Sequence, residues 1–283
     1  MEILSFRAFT TAEPDPRSGN PAGVVLDAEE LARDDMLRIA EELGFSETAF
    51  LTEITPASAR VRYFTPRDEI AFCGHATVAS GVALARRGAG PVVTFTTNAG
   101  DVPVEVSAGA ATLTAVDTTI HVLDQSLLDE LLACLRLTHD DLDPDLPPAF
   151  VRGGNPHPLV FVRAGVLSTL DHDAAAVLRL QDREGWDGTV PVVHRVAADR
   201  FVSRNPFPRG GIREDPATGS AAAGLGYYLR QRGEVAPPVT IQVRQGAETG
   251  HPSSIAVEIP ADGRVRVTGT AAELEPSSRP LAR

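Results

Sequence analysis

Two carboxylates stand directly before a helix that is almost bare of side chains. Glu214 and Asp215 open the run EDPATGSAAAGLGYYL at 214–229. A helix start carries unpaired N–H groups and about half a positive charge. Gly219 and Ser220 would let an oxyanion approach those groups directly. Asp215 and Glu214 are then either caps for the helix, which their spacing favours, or working groups beside a bound acid. A second helix start looks alike: FCGHATVASG at 72–81 sets Cys73, Gly74 and His75 ahead of another run of small residues. A lone histidine is more often an ordinary hydrogen-bonding residue than a catalyst. In a first helical turn, however, the positive helix end would lower the pKa of His75 and keep a neutral ring that both donates and accepts. Glu47 lies in GFSETAFL at 44–51, between Phe45 and Phe50. Desolvation there would raise its carboxyl towards neutrality and suit it to proton transfer. The simpler reading of Glu47 is a strand-end glutamate facing water.

The elements that must position these residues come from a chain written twice. GNPAGVV at 19–25 is echoed by GNPHPLVFV at 154–162, and PRDEI at 66–70 by PRGGI at 208–212. The helix GHATVASGVALARRG at 74–88 lies over GSAAAGLGYYLRQRG at 219–233, and VTFTTNAG at 93–100 over VTIQVRQG at 239–246. Four matches in the same order predict two similar halves, 1–118 and 119–283, with the tail from about 270 packing back on the first. Both repeated helices are apolar nearly all round, which marks buried helices. Alternating, β-branched runs such as ARVRYF at 59–64 predict strands around them. DAEELARDDMLRIAEELG at 27–44 reads as a further helix, with Asp27 as N-cap, Glu30 in a capping box and Gly44 as the stop. Duplicated halves bring equivalent elements face to face, and such clefts are favoured ligand sites. Two converging helix starts would hold a carboxylate and stabilise charge that builds on it.

The whole chain has 283 residues, 43% of them hydrophobic, and a formal net charge of −12. That balance argues against nucleic acid or an anionic membrane as partner, but not against a small anion in a locally positive site. Cys73 and Cys134 are the only cysteines, so no disulfide framework is predicted. No signal segment or membrane span is read, and a cytoplasmic protein is the expectation. Asp141, Asp143 and Asp145 alternate as in a calcium loop, but Pro144 and Pro147 break it and no glutamate closes it. No metal is assigned.

SGNPAGVV, SETAFL, RYFTPRDEIAFCGHATVASG, GIREDPATGSAAAG and QGAETGHPSSI together resemble the PhzF-like (phenazine biosynthesis) family of the diaminopimelate epimerase-like superfamily, over about residues 6–270. The resemblance implies an α+β fold of two pseudo-symmetric domains, each an antiparallel barrel-like sheet around a central helix. It implies a homodimer and a cofactor-independent isomerase that moves a proton along a small carboxylate substrate. Glu47 falls on the proton-shuttling glutamate, with His75, Asp215 and Ser220 on the other site residues. Gly74, Gly219, Ser220 and Cys73 are the expected substrate contacts. Two other readings stay open. One is a two-base epimerase or racemase using Cys73 with another base, although Pro216 occupies the place of a second thiol. The other is a carboxylate-binding protein without turnover.

Overall fold

One hydrogen-bonded path of strands builds both halves, and the last strand joins them. The structure, a computed structural model, describes residues 1–13, 15–107 and 109–274. The first half comprises β1 (Glu2–Ala8), β2 (Asn20–Leu26), α1 (Arg33–Leu43), β3 (Glu47–Thr52), β4 (Ser58–Phe64), the short β5 (Glu69–Ile70), α2 (Gly74–Arg86), β6 (Val92–Thr97), β7 (Gly100–Ser107) and β8 (Ala110–Thr114). The second comprises β9 (Thr119–Val122), α3 (Gln125–Leu135), β10 (Ala149–Gly153), β11 (Asn155–Phe161), α4 (Val166–Thr169), α5 (Ala174–Glu184), β12 (Val192–Ala197), β13 (Arg200–Arg204), α6 (Gly219–Gln231), β14 (Val239–Gln245), β15 (Ser253–Ile259) and β16 (Arg266–Glu273).

The order β1-β2-β3-β4-β6-β7-β8-β16 closes on itself because β16 also pairs with β1. This eight-stranded barrel wraps α2. The path continues from β16 through β15 to β9 as a second wall around α6. The fold is therefore mixed α+β, with a closed barrel, further strands and, among the described residues, six α-helices. The predicted boundary at 118/119 falls in the loop between β8 and β9. Thr270 to Glu273 lie in β16, whose Ala272 faces Arg7 of β1; residues 275–283 of the expected tail lie outside the described residues. No described helix is long and apolar enough to cross a membrane.

Both central helices are buried along nearly their whole length, and equivalent glycines let them lie close to their sheets. A Cβ on Gly81 would come 3.1 Å from Val104 Cγ1, and one on Gly226 would come 2.8 Å from Val257 Cγ1. On the outer face, α1 turns Met36, Ile39, Ala40 and Leu43 onto Phe45, Phe50 and Phe64. Cys134, on α3, is buried in a separate cluster with Leu131, Leu135 and Trp186.

The helix expected over 27–44 begins later. It starts at Arg33 with Ala32 as N-cap and ends, as read, on the left-handed Gly44. Tertiary bonds hold the preceding residues away from helix. Asp27 has φ 57 and binds Arg87 Nη1 at 2.9 Å. Ala28 donates to the Leu51 carbonyl at 3.0 Å, and Glu29 accepts the Glu53 N–H at 2.9 Å.

Candidate active site

The starts of α2 and α6 touch. A Cβ placed on Gly74 would lie 3.4 Å from Gly219 Cα and 3.8 Å from the Ser220 nitrogen. A methyl group at either glycine would meet the opposite tip at van der Waals distance. Beside them opens a cleft of ≈ 450 Å³ whose lining includes Glu47, Cys73, Gly74, His75, Asp215, Gly219 and Ser220. The candidate residues, scattered over the sequence, thus meet in one place. Arg67, Arg152 and Arg209 line the same cleft together with Asp68, Glu69, Asp182 and Asp187.

Each helix start is fixed from below. On α2, Thr77 Oγ1 donates to the Cys73 carbonyl at 2.6 Å and accepts from the Tyr63 hydroxyl at 2.6 Å. On α6 the N-cap is Thr218, whose side chain does not cap the first turn. Its hydroxyl instead donates to Asp215 Oδ2 at 2.6 Å. Gln245 clamps this loop, donating to the Asp215 carbonyl at 2.6 Å and accepting from the Thr218 N–H at 3.2 Å.

The capping role favoured for Asp215 and Glu214 is therefore corrected. Proline and alanine separate Asp215 from the cap position, so its carboxylate reaches Thr218 and the Asn20 amide, the latter at 2.7 Å. Glu214 turns the other way and pairs with Arg204 Nε at 3.0 Å. Burial raises the Glu214 carboxyl, but bonds from His172 and Arg204 overcome this and hold it at about 2. It is an internal ion pair and does not line the cleft.

Glu47 does not face water; it is only 5% exposed. It opens β3, where Ala22 of β2 and Thr48 beside Phe64 of β4 enclose it. Burial pushes its carboxyl up to about 8, with the charge of Asp215 adding to the rise. Glu47 Oε2 lies 3.3 Å from His75 Nε2 yet has no hydrogen-bond partner among the described residues. Burial lowers His75 to about 3, against a bond to the Pro21 backbone, which can only be the carbonyl. Asn20 Nδ2 donates to Asp215 and stands 3.2 Å from His75 Nδ1. The ring's Nδ1 is therefore the acceptor, and Nε2 carries the hydrogen on the Glu47 side. Burial also raises Asp215, to about 6, against bonds from Thr218 and Asn20. Cys73 Sγ stands 3.3 Å from His75 Nδ1, and burial keeps its thiol well above the ordinary range.

Several neighbours escaped the sequence reading. His157 is buried, with Nδ1 at 3.1 Å from the Thr189 carbonyl and Nε2 at 2.9 Å from Ser220 Oγ. A carbonyl only accepts, so Nδ1 holds the hydrogen and Ser220 donates to Nε2. The hydroxyl is thereby oriented, and burial holds the ring neutral, at about 4. Asn20 and His157 belong to the two GNP repeats, and that duplication was the available signal. Two residues of the QGAETGHPSSI stretch lie away from the cleft. His251 sits 2.9 Å from Arg7 Nη1, and Ser253 lines a separate hollow.

The sequence profile of PhzC-PhzF, described as phenazine biosynthesis-like protein, matches residues 6–276. The chain is 33% identical to an uncharacterized isomerase of Bacillus subtilis, over 95% of each chain. It is 31% identical to trans-2,3-dihydro-3-hydroxyanthranilate isomerase of Pseudomonas chlororaphis, over 87% of this chain and 86% of that one. A crystal structure of a PhzF-family phenazine biosynthesis protein from Bacillus anthracis superposes with TM-score 0.82 at 26% identity, covering 97% of this chain and 98% of the other.

Proposed function

The chain belongs to the phenazine biosynthesis-like (PhzC-PhzF) family, and from that premise we propose that it is a cofactor-independent isomerase of a small carboxylate, with Glu47 as its single proton shuttle. Homologues named as isomerases support the reaction class. The observation that carries the mechanism is the state of Glu47: buried, unpartnered at Oε2, and beside the paired helix tips.

The substrate carboxylate docks on the N–H groups at the starts of α2 and α6. Glu47, once ionised, takes a proton from an activated carbon. The C–H electron pair moves into the conjugated system, and the growing negative charge is held at the helix tips. Glu47 then returns the same proton to another carbon of the system and is a carboxylate again. His75, neutral, lies against Glu47 with its single N–H given to the Pro21 carbonyl, while Asp215 and Ser220 present acceptor oxygens to the substrate's own donors. A two-thiol reaction would need a second thiol where Pro216 stands, which leaves the two-base reading only Cys73 with some other base.

The test is hydrogen exchange. Small unsaturated carboxylic acids, including trans-2,3-dihydro-3-hydroxyanthranilate, are incubated with the protein in deuterated water and examined for deuterium on carbon. Glu47→Gln should lower exchange by at least ~10²-fold, the usual scale of general acid–base catalysis, while binding stays measurable. Exchange at the wild-type rate in that variant would remove Glu47 from the role.

A further inference from the structure

The corner that holds Glu47 also has the makings of a soft-cation site. One ligand atom each from Glu47, Cys73 and His75 lies within 4.8 Å of the others, and all three residues are buried. Cys73 Sγ is 3.3 Å from His75 Nδ1, and Glu47 Oε2 is 3.3 Å from Nε2. That carboxylate oxygen has no other use among the described residues, since it accepts no hydrogen bond. All three residues line the cleft, which supplies an entry path. Zinc, with Zn–S near ~2.3 Å and Zn–N or Zn–O near ~2.0–2.2 Å, keeps tetrahedral ligand atoms roughly 3.3–3.6 Å apart. Cys73 Sγ and His75 Nδ1 already stand at that spacing, whereas the Glu47 carboxylate, whose Oε2 lies beside Nε2, has to turn towards them.

We propose that Glu47, Cys73 and His75 bind one zinc ion, with the fourth position open to the cleft, and that zinc acts there as an inhibitor rather than a cofactor. A thiol and an imidazole select zinc over the hard cations magnesium and calcium. On binding, the Cys73 S–H bond and the Glu47 carboxyl O–H bond break, both protons leave to solvent, and the sulfur and the oxygen keep their electron pairs for the metal; nothing is oxidised. The positive start of α2 opposes the cation but favours the thiolate, because the His75 and Ala76 backbone N–H groups face the sulfur. The ring is held by its bond to the Pro21 carbonyl, and zinc at Nδ1 takes the lone pair that faces the Asn20 amide at 3.2 Å and displaces that amide. Inhibition follows because the metal occupies the oxygen that would carry the proton. That clause rests on the proton-shuttle reading; the binding claim does not.

Cobalt and zinc titrations of the full chain separate the two. Cobalt is expected to bind once per chain with a near-ultraviolet thiolate-to-cobalt band that zinc abolishes. Cys73→Ser should remove the band and weaken zinc binding by ~100-fold or more, beyond the 10–100-fold seen for mere outer-shell changes. Glu47→Gln, which keeps the shape of the side chain, serves as the second variant and should also weaken zinc. Circular dichroism checks that both fold. Absence of a cobalt band in the wild type, or zinc affinity unchanged in both variants, overturns the site. Zinc binding as described, in a protein that exchanges no proton in any acid, would leave the site standing and sink the shuttle.

Discussion

Replacing Glu47 by glutamine should make the protein more stable, and increasingly so as the pH rises. The reasoning starts from the carboxyl's burial. In the unfolded chain it ionises near its ordinary 4.5, whereas in the folded chain burial, aided by the Asp215 charge, holds it up to about 8. A group whose folded pKa is raised stabilises the protonated fold, and that contribution is complete below the unfolded value. It is lost as pH climbs through the interval up to the folded value. At about 1.4 kcal/mol for each pH unit, the loss amounts to about 3 kcal/mol by pH 7 and about 5 kcal/mol above pH 8. Glutamine, neutral throughout, escapes it. Urea unfolding of wild type and Glu47→Gln at intervals from pH 5 to 9 measures the difference. The gap between the two should widen by several kcal/mol over that range. A gap that stays constant would mean that Glu47 ionises normally and that its burial does not tune it.

Asp215→Asn should move the alkaline-rising limb of the kcat/KM profile to lower pH, because the Asp215 charge contributes to the raised Glu47 carboxyl; proton exchange followed from pH 5 to 9 reads the shift. Gly188→Ala should destabilise by roughly 1–3 kcal/mol or more, since its Cβ would collide with the Pro156 carbonyl oxygen and come 2.7 Å from His157 Cε1; thermal unfolding checks this. Glu214→Gln should cost about 3–5 kcal/mol at neutral pH by leaving the buried Arg204 unpaired. Because Glu214 is held near 2, its contribution in the wild type should fade only as pH drops below about 4.5, which acid titration of stability detects.

What was legible in the sequence is what repetition and small residues encode locally. The matched glycines of the two helices announced buried, closely packed elements, and their starts proved to meet. The contacts that tune the site are not local. Glu47 is surrounded through β2 and β4, so its desolvation depends on strand pairing that no run of eight residues reveals. The Asn20 bond to Asp215 joins residues 195 positions apart, and the Gln245 clamp reaches Thr218 across 27. Local preference misled twice in the same way. Asp27 and Asp215 both have the residue type of a helix cap, yet tertiary partners claim each carboxylate first: Arg87 for one, Asn20 and Thr218 for the other.

The sharing of β16 has a consequence for biogenesis. On the ribosome, the amino-terminal wall must wait with a missing stave, its β1 and β8 margins unpaired, until Arg266–Glu273 has been made and released. Neither half can mature ahead of the other. The nascent chain therefore carries an open sheet edge through nearly all of its synthesis, the very period in which such edges invite wrong partners.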